Sequence, residues 1–287
     1  MQSSIFLYFA LKFCPLSNTA NMKNIHVIIL ILGTCMTFAS QSQDMTIIPS
    51  SAVKKTNSLN VSFGIHQIRE EILTPKVQRG YLFLVAYNRE RLSLNRLSGY
   101  RFELAYSRAK TKYEDLPATV YINFLFQYDY SFKLADHNKF QYFLGPLGRL
   151  NYSLDVYPTW DDSHMYWGNY LSVGIKNTFL YEISSDKIMI AKVELPVISV
   201  SSRPESNRLY KMDDTSLDAI ITNWHSNIQA GSIETVFFLT TDFDYLFRMT
   251  SKTMESVGFS VQYLRIKSHD GEPFNDLYYL IALKIYF

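Results

Sequence analysis

The sequence has little cysteine, and both cysteines lie near one end. Cys14 and Cys35 are the two among 287 residues. Past residue 40 there is also no apolar run of about 18 residues, the length that a transmembrane helix requires. Beyond the first 40 residues we therefore expect no disulfide framework, no cysteine-based metal site and no membrane-spanning helix.

An excess of charge of one sign is also missing. Lys12 and Lys23 are the charged residues of the first 39 positions, and the rest of the chain has 26 basic and 26 acidic residues. No basic stripe is present, which argues against nucleic acid as a partner. The sequence shows no glycine-rich phosphate loop, nucleotide motif or metal-ligand spacing, so it predicts no cofactor and no metal.

Aromatic residues, by contrast, are plentiful. They make up 15% of the chain, with 21 tyrosines and 20 phenylalanines, while the mean hydropathy is −0.06. Apolar side chains without long apolar runs must be distributed by alternation. Aromatic girdles at two membrane interfaces are typical of transmembrane β-barrels.

The N-terminal region has the pattern of a secretory signal peptide. Met22-Lys23-Asn24 precedes the apolar run from Ile25 to Leu32, and small residues follow. We expect translation to start at Met22 and cleavage after Ala39, which makes 1–39 a signal region and 40–57 a periplasmic segment. The alternative is a lipoprotein cleaved before Cys35, although Thr34 fits poorly just before a lipidated cysteine.

Ten segments then alternate between apolar and polar residues, as strands with two different faces do. In the clearest, Ile122, Phe124 and Phe126 alternate with Asn123, Leu125 and Gln127. The segments lie at 59–66, 81–87, 100–107, 120–131, 140–154, 170–179, 189–197, 234–245, 257–263 and 277–287. Residues 58–287 are therefore predicted to form an all-β, antiparallel, transmembrane up-and-down barrel of about ten strands. A soluble sandwich would instead show many charges on its outer faces.

The connectors between these segments alternate in length. Short periplasmic turns are predicted at 89–97, 133–138, 184–186 and 248–253. Longer outer loops are predicted at 69–78, 109–117, 155–165, 202–231 and 268–275. This asymmetry is typical of barrels in the bacterial outer membrane, which is the predicted location.

The last strand resembles the C-terminal signal of bacterial outer-membrane barrels. The chain ends on Phe287, and Ile285, Leu283, Ile281 and Tyr279 occupy alternate positions before it. That resemblance implies recognition by the barrel-assembly machinery.

The whole mature chain also resembles the small uncharacterised outer-membrane barrels of Bacteroides and relatives. The stretches Phe143-Leu144-Gly145-Pro146-Leu147 and Leu195-Pro196 through Arg203-Pro204 carry this resemblance. It implies no particular activity.

Charged residues of both signs fall on the predicted lumen face. We interpret them as ion pairs that fill a narrow lumen, with a selectivity ring in a pore as the alternative. Asp242 and Asp244, two apart on one face, are predicted to be salt-bridged rather than catalytic. The predicted lumen set is Arg101, Glu103, Asp129, Arg149, Lys176, Lys192, Glu194, Asp242, Asp244 and Lys284.

Two outer loops carry candidate binding residues. Trp160, Asp161 and Asp162 make one loop aromatic and acidic, so it could contact a sugar or a cation. In loop 202–231, helical spacing from Leu217 to Ile228 predicts a short helix, and Trp224 and His225 lie on this stretch. That helix either packs over the barrel mouth or binds a partner.

The sequence favours a non-enzymatic barrel with a structural, binding or narrow-transport role. Outer-membrane lipid is its expected environment. One alternative is a barrel hydrolase acting on lipid or peptide. Trp224-His225-Ser226-Asn227 faintly resembles the His and Ser-Asn cluster of lipid A deacylases, but adjacent His225 and Ser226 would point apart on a strand. A second alternative is an accessory subunit of an outer-membrane complex.

Overall fold

The chain folds into β-strands throughout the part that the structure describes. That part of the computed structural model comprises residues 54–70, 77–111, 118–157, 164–204, 218–219, 222, 225, 227–248, 254–267 and 273–287. The strands are β1 (Lys54–Glu70), β2 (Gln78–Ser93), β3 (Arg96–Lys110), β4 (Thr119–His137), β5 (Phe140–Tyr157), β6 (His164–Trp167), β7 (Asn169–Ser184), β8 (Lys187–Ser202), β9 (Gln229–Ser232), β10 (Val236–Arg248), β11 (Met254–Ile266) and β12 (Phe274–Tyr286). Within the described ranges, no helix is long and apolar enough to cross a membrane.

Ten of these strands form a closed ring. Each long strand pairs antiparallel with the next long strand, and β8 pairs with β10. The ring closes where β1 pairs with β12, from Ser58 opposite Tyr286 to Glu70 opposite Phe274. Asn57 and Phe287 each donate a backbone hydrogen bond to the other, at 3.0 and 2.9 Å, and these two bonds extend the seam by one residue pair. The predicted ten-stranded antiparallel barrel is confirmed, and its first strand begins at Lys54, before the expected position 58.

The two ends of the barrel differ in their connectors. At one end, called here the short-turn end, two-residue turns join β2 to β3, β4 to β5, and β7 to β8. The prediction of a turn over 89–97 is wrong, because Arg89 to Ser93 continue β2 and only Leu94 and Asn95 form the turn. Asn138 starts the second turn with a φ of 48°, a conformation that asparagine tolerates better than most residues.

The opposite end, called the long-loop end, has the longer connectors. They join β1 to β2, β3 to β4, β5 to β7, β8 to β10, and β11 to β12. Two of them contain short strands that alternation did not predict. β6 pairs with β5, and β9 pairs with β8. Asp218, Ala219 and Thr222 are helical, in the segment where a helix was predicted, and the other residues from 205 to 224 lie outside the described part.

The outer surface of the barrel is a continuous apolar belt. Along β2, Tyr81, Phe83, Val85 and Tyr87 point outward between Arg79 and Arg89. Ten residues of strand rise about 34 Å, which a tilt of about 40° reduces to about 26 Å. That height matches the apolar band of about 25 Å on transmembrane barrels. Tyr81 is 67% exposed and Ile281 is 64% exposed. A continuous belt of apolar side chains with such exposure would be unfavourable in water.

β8 changes the facing of its side chains at Pro196. The register with β7 shifts there, so that Gly174 lies opposite Pro196 and Val173 lies opposite Ile198. The extra residue of this β-bulge leaves both Val197 and Ile198 on the outer surface. Proline has no N–H to donate to a neighbouring strand, and a bulge is one of the places in a sheet where this loss is tolerated.

Gly64 on β1 provides a test of the seam. A Cβ there would meet the carbonyl oxygen of Tyr279 and lie 2.9 Å from the Cα of Leu280, both in the backbone of β12. We expect Gly64→Ala to lower the free energy of unfolding by about 1–3 kcal/mol, as overpacking does. Urea titration of the refolded barrel in detergent measures this change.

Gly148→Ala is the matched control, because a Cβ at Gly148 meets no atom within 4 Å. It should change the free energy of unfolding by less than about 0.5 kcal/mol. Equal effects of the two substitutions would show that the seam does not restrict position 64.

Candidate functional site

The interior of the barrel is the candidate site, because it holds most of the buried charged residues of the described part. Inward positions of the strands place these side chains in a column along the barrel axis. The hydrophobic effect places apolar residues outside, against lipid, and leaves the polar residues inside.

Nearest the short-turn end, two lysines pair with carboxylates. Lys192 Nζ lies 2.6 Å from Glu90 Oε1, and Lys284 Nζ lies 2.6 Å from Asp244 Oδ2. Glu90 is on β2 and Lys192 is on β8, five positions apart around the ten-stranded ring. This ion pair therefore joins strands on opposite sides of the barrel and spans the lumen.

A second pair of opposite strands is joined a little higher. Arg101 on β3 contacts Glu103 on its own strand, and its Nη1 lies 3.5 Å from Asp242 Oδ2 on β10. Ser260 donates a hydrogen bond of 2.5 Å to the same aspartate. Asp242 and Asp244 thus have separate cationic partners, and they form no pair that shares a proton.

The middle of the lumen is filled by a network around Glu194. Arg149 Nη2 lies 2.6 Å from Glu194 Oε2, and Gln127 donates to Glu194 Oε1 at 2.7 Å. Lys176 Nζ lies 2.8 Å from Asp129 Oδ1 and 3.8 Å from Glu194 Oε1. All five side chains are buried. Two cations therefore lie within ion-pair distance of the Glu194 carboxylate.

Arg149 also packs against an aromatic face. Its guanidinium carbon lies 4.1 Å from the ring centre of Phe238, which stacks on Tyr170. A desolvated cation over an aromatic ring gains about 2 kcal/mol. Arg149 also donates a hydrogen bond of 3.2 Å to Thr240 Oγ1, so β10 holds its guanidinium by two contacts.

Above this network is a buried cluster that the sequence did not reveal. Asp276 on β12 accepts hydrogen bonds from His66 Nε2 at 2.5 Å, from Tyr121 at 3.0 Å and from Tyr278 at 2.5 Å. The hydroxyls of Tyr121 and Tyr278 also contact each other. His66 and Asp276 lie on the two seam strands, and Tyr121 reaches them from β4. The cluster therefore connects the seam to a distant part of the wall.

A usable signal for this cluster was the alternation itself. His66 falls on the polar face of the first predicted segment, and Asp276 lies four alternate positions before the inward Lys284. Extending the last segment upstream of Leu277 would have placed Asp276 in the lumen. The partnership with His66 depends on the register of β1 and β12, which the sequence does not specify.

Apolar and aromatic side chains cover the lumen at the long-loop end. Trp167 and Phe274 are fully buried, and Tyr166 stacks on Phe274 with ring centres 5.4 Å apart. Arg203 donates to the carbonyl of Ile266 at 2.8 Å and lies over the ring of Tyr166. The short strand β6 thus supplies part of a lid that the predicted loop 155–165 did not suggest.

Two cavities in the described interior are small. One has a volume of about 30 Å³ and is lined by Arg101, Asp129, Lys176 and Glu194 among others. Another, of about 20 Å³, lies beside Asp276 and Tyr278. A single water molecule requires about 10–15 Å³ by this measure, so each cavity holds one or two waters. Neither has room for an organic substrate.

No protein-family model and no curated protein sequence matches this chain. Solved structures match it in fold. The outer-membrane protease OmpT of Escherichia coli is 8% identical, with 85% of this chain and 99% of that chain covered and a TM-score of 0.45. The β domain of the Bordetella autotransporter BrkA is 10% identical, with 81% and 98% covered and a TM-score of 0.39. Neisserial surface protein A is 8% identical, with 83% and 100% covered and a TM-score of 0.33.

The fold resembles bacterial outer-membrane barrels. At these identities and TM-scores the likeness is one of fold alone. Neither a protease activity nor an autotransporter role passes to this chain from it.

The predicted assembly signal lies along β12. Tyr279, Ile281 and Leu283 are exposed on the apolar belt, and Ile285 and Phe287 are partly exposed at its lower edge. Their backbones pair with β1 on one side and, up to Ile285, with β11 on the other. Recognition by an assembly machinery stays a prediction.

The predicted outer binding residues are described only in part. Trp160, Asp161, Asp162 and Trp224 lie outside the described residues. His225 Nε2 lies 3.1 Å from the hydroxyl of Tyr152 on the outer face of β5, and the two rings meet edge to face. Among the described residues, no group of three or more His, Cys, Asp or Glu side chains is arranged to hold a metal ion.

Glu194→Ala tests whether the lumen is a true low-dielectric interior. The substitution leaves the buried Arg149 without its carboxylate partner and removes one of the two carboxylates near Lys176. We therefore expect a loss of about 3–5 kcal/mol in the free energy of unfolding. Urea titration in detergent measures the loss. Asp136→Ala removes an exposed ion pair with Lys133 and should cost less than about 1 kcal/mol. A Glu194→Ala effect no larger than that of Asp136→Ala would mean that water screens the interior charges.

Proposed function

We propose that this protein is an exported, integral outer-membrane barrel that conducts no bulk solute and is not an enzyme. In this proposal it is a membrane-anchored scaffold whose long-loop end, facing outward, binds partners or ligands. One observation carries it: ion pairs join opposite strands across the lumen. Glu90 to Lys192 and Arg101 to Asp242 each span the ring of ten strands.

The apolar belt supports insertion into a membrane. Large apolar side chains of all ten long strands point outward, while the interior holds serines, asparagines and ion pairs. This distribution is the reverse of that in a soluble protein. Closure of the barrel lets neighbouring strands satisfy the backbone hydrogen bonds of the wall, as the hydrocarbon region of a bilayer requires.

The filled lumen argues against the narrow-transport alternative. A solute would have to break the Glu90–Lys192 pair, the Glu194 network and the Asp276 cluster in turn, and then displace Trp167. Breaking one buried pair costs about 3–5 kcal/mol, so a passage through several layers is strongly unfavourable. An ion-selectivity ring needs an open bore, and the described lumen contains cavities of water size.

The hydrolase alternative gains nothing from the described residues. His66 and Asp276 have the geometry of a base and its orienting carboxylate. Both side chains are fully buried beneath Trp167 and Phe274, and the neighbouring cavity holds about one water. A lipid or peptide bond cannot reach them in this state.

Planar-bilayer recording tests the closed lumen. We expect the refolded full chain to insert without producing steps of ion current, because charged side chains close the bore. A sixteen-stranded porin, which has an aqueous channel, is the positive control in the same bilayers. Stable conductance steps from the folded chain would contradict the proposal and restore a transport role.

Cell fractionation tests the location and the predicted assembly signal together. We expect the chain expressed from Met22 to reach the outer membrane with Ser40 as its N-terminal residue, and Phe287→Ser to reduce its amount there several-fold. Phe287→Tyr, which keeps the aromatic ring, is the control. The backbone hydrogen bonds of Phe287 with Asn57 need no particular side chain, so both variants should refold normally in detergent. Wild-type levels of Phe287→Ser in the outer membrane would rule out the predicted signal.

A further inference from the structure

Basic side chains cluster on the outer surface of the barrel at the long-loop end. Five of them lie just beyond the apolar belt on β11, β1, β2 and β3, which with β12 are consecutive strands of the ring. All five are exposed. They are called here the basic rim and comprise Arg265, Arg69, Arg79, Arg108 and Lys110.

Strand register makes these residues neighbours. Lys110 lies directly opposite Arg79, and Arg108 lies one step lower, opposite Tyr81. Asn275 on β12 has Arg69 on one side and Arg265 on the other. Adjacent strands are about 4.8 Å apart, so the basic rim spans about 19 Å from β3 to β11.

Four of the five cations in the basic rim lack an acidic partner among the residues that the structure describes. Lys110 and Arg79 lie directly opposite each other. Like charges in this arrangement destabilise a sheet. In the described part of the chain, Arg79, Arg108, Lys110 and Arg265 have no acidic partner. An external anion would remove the repulsion at the basic rim.

The clustering is confined to one side of the barrel. At the corresponding outward positions of β4, β5, β7, β8 and β10, the described residues are apolar: Val120, Val156, Leu171, Val200 and Phe237. A general interfacial girdle would surround the barrel evenly. A one-sided patch instead indicates a local binding surface.

The side chains beneath the cations indicate a lipid rather than a soluble anion. Tyr81, Tyr106 and Tyr263 lie one step toward the middle of the belt from Arg79, Arg108 and Arg265, respectively. A ligand that reaches both levels needs anionic groups above and hydrocarbon below. Guanidinium groups bind phosphate oxygens in a bidentate manner, and a row of four or more cations suits more than one phosphate.

We propose that the basic rim binds a lipid of the surrounding leaflet whose headgroup carries at least two phosphates. The proposal rests on the membrane location proposed above, since the acyl chains must lie along the apolar belt. Phosphates bridge the arginines of β2, β3 and β11, and the acyl chains cover the tyrosines beneath them. The lipid thereby neutralises the repulsion between Arg79 and Lys110.

Native mass spectrometry of the refolded full chain in detergent tests this. The probe is bisphosphorylated lipid A, with phosphatidylethanolamine as the reference lipid. We expect the wild type to prefer lipid A, and the variant R79Q/R108Q/K110Q/R265Q to lose about tenfold or more in affinity for it, because charge-assisted contacts to phosphate are removed. All four substituted side chains are exposed, and heat-modifiable gel mobility verifies that the variant folds.

The matched control is K55Q/R89Q/R91Q/R96Q, which removes four exposed cations from β1 to β3 at the short-turn end. Its affinity for lipid A should stay within about twofold of wild type, because exposed charges farther away than the Debye length of about 10 Å contribute little. Equal losses in both variants, or no preference of the wild type for lipid A, would overturn the proposal. Displacement of lipid A by an equal concentration of inorganic pyrophosphate would assign the surface to a soluble phosphate and overturn it as well. Binding in detergent requires neither cellular location nor a closed lumen, so its failure is distinguishable from failure of the proposed function.

Discussion

The closure of β1 on β12 is the constraint on which the rest of the structure depends. Each strand must hydrogen-bond on both sides, because an unpaired backbone group in hydrocarbon costs several kcal/mol. With the ring closed from Ser58 opposite Tyr286 to Glu70 opposite Phe274, neither β1 nor β12 has a free edge over the belt. Closure divides every strand into one inner and one outer face. The alternation of the sequence then decides what each face carries.

Closure also determines how the polar side chains of the interior must be satisfied. A ten-stranded ring leaves a bore that side chains can fill, and polar side chains in that bore must satisfy one another. Ion pairs that reach across the lumen, as Glu90 and Lys192 do, meet this demand and block the bore at the same time. The hydrogen bonds of Asp276 do the same nearer the long-loop end and connect the seam strands to β4. The stability of the interior and the filling of the bore therefore have one physical origin.

The sequence predicted the facing of side chains far better than their partners. Period-two alternation placed Arg149, Lys176 and Glu194 on inner faces, where the structure has them. It could not pair Arg149 with Glu194, because their strands are separated in the ring and the contact depends on bore width and shear. The wrong turn at 89–97 has a related cause. Consecutive charged residues such as Arg89 and Arg91 favoured the prediction of a turn. They instead continue β2 beyond the apolar belt, where charged side chains are favourable.

By itself the sequence determined the ten long strands of the barrel, their antiparallel order and the reversal of polarity between inside and outside, since these follow from local alternation and connector length. Only the tertiary structure decided that the lumen is filled, that His66 meets Asp276, that β6 helps to cover the long-loop end, and that cations of β11, β1, β2 and β3 form one basic rim. The reason is that each of these depends on register between strands distant in sequence. A shift of two residues would preserve every alternating pattern and move every partner.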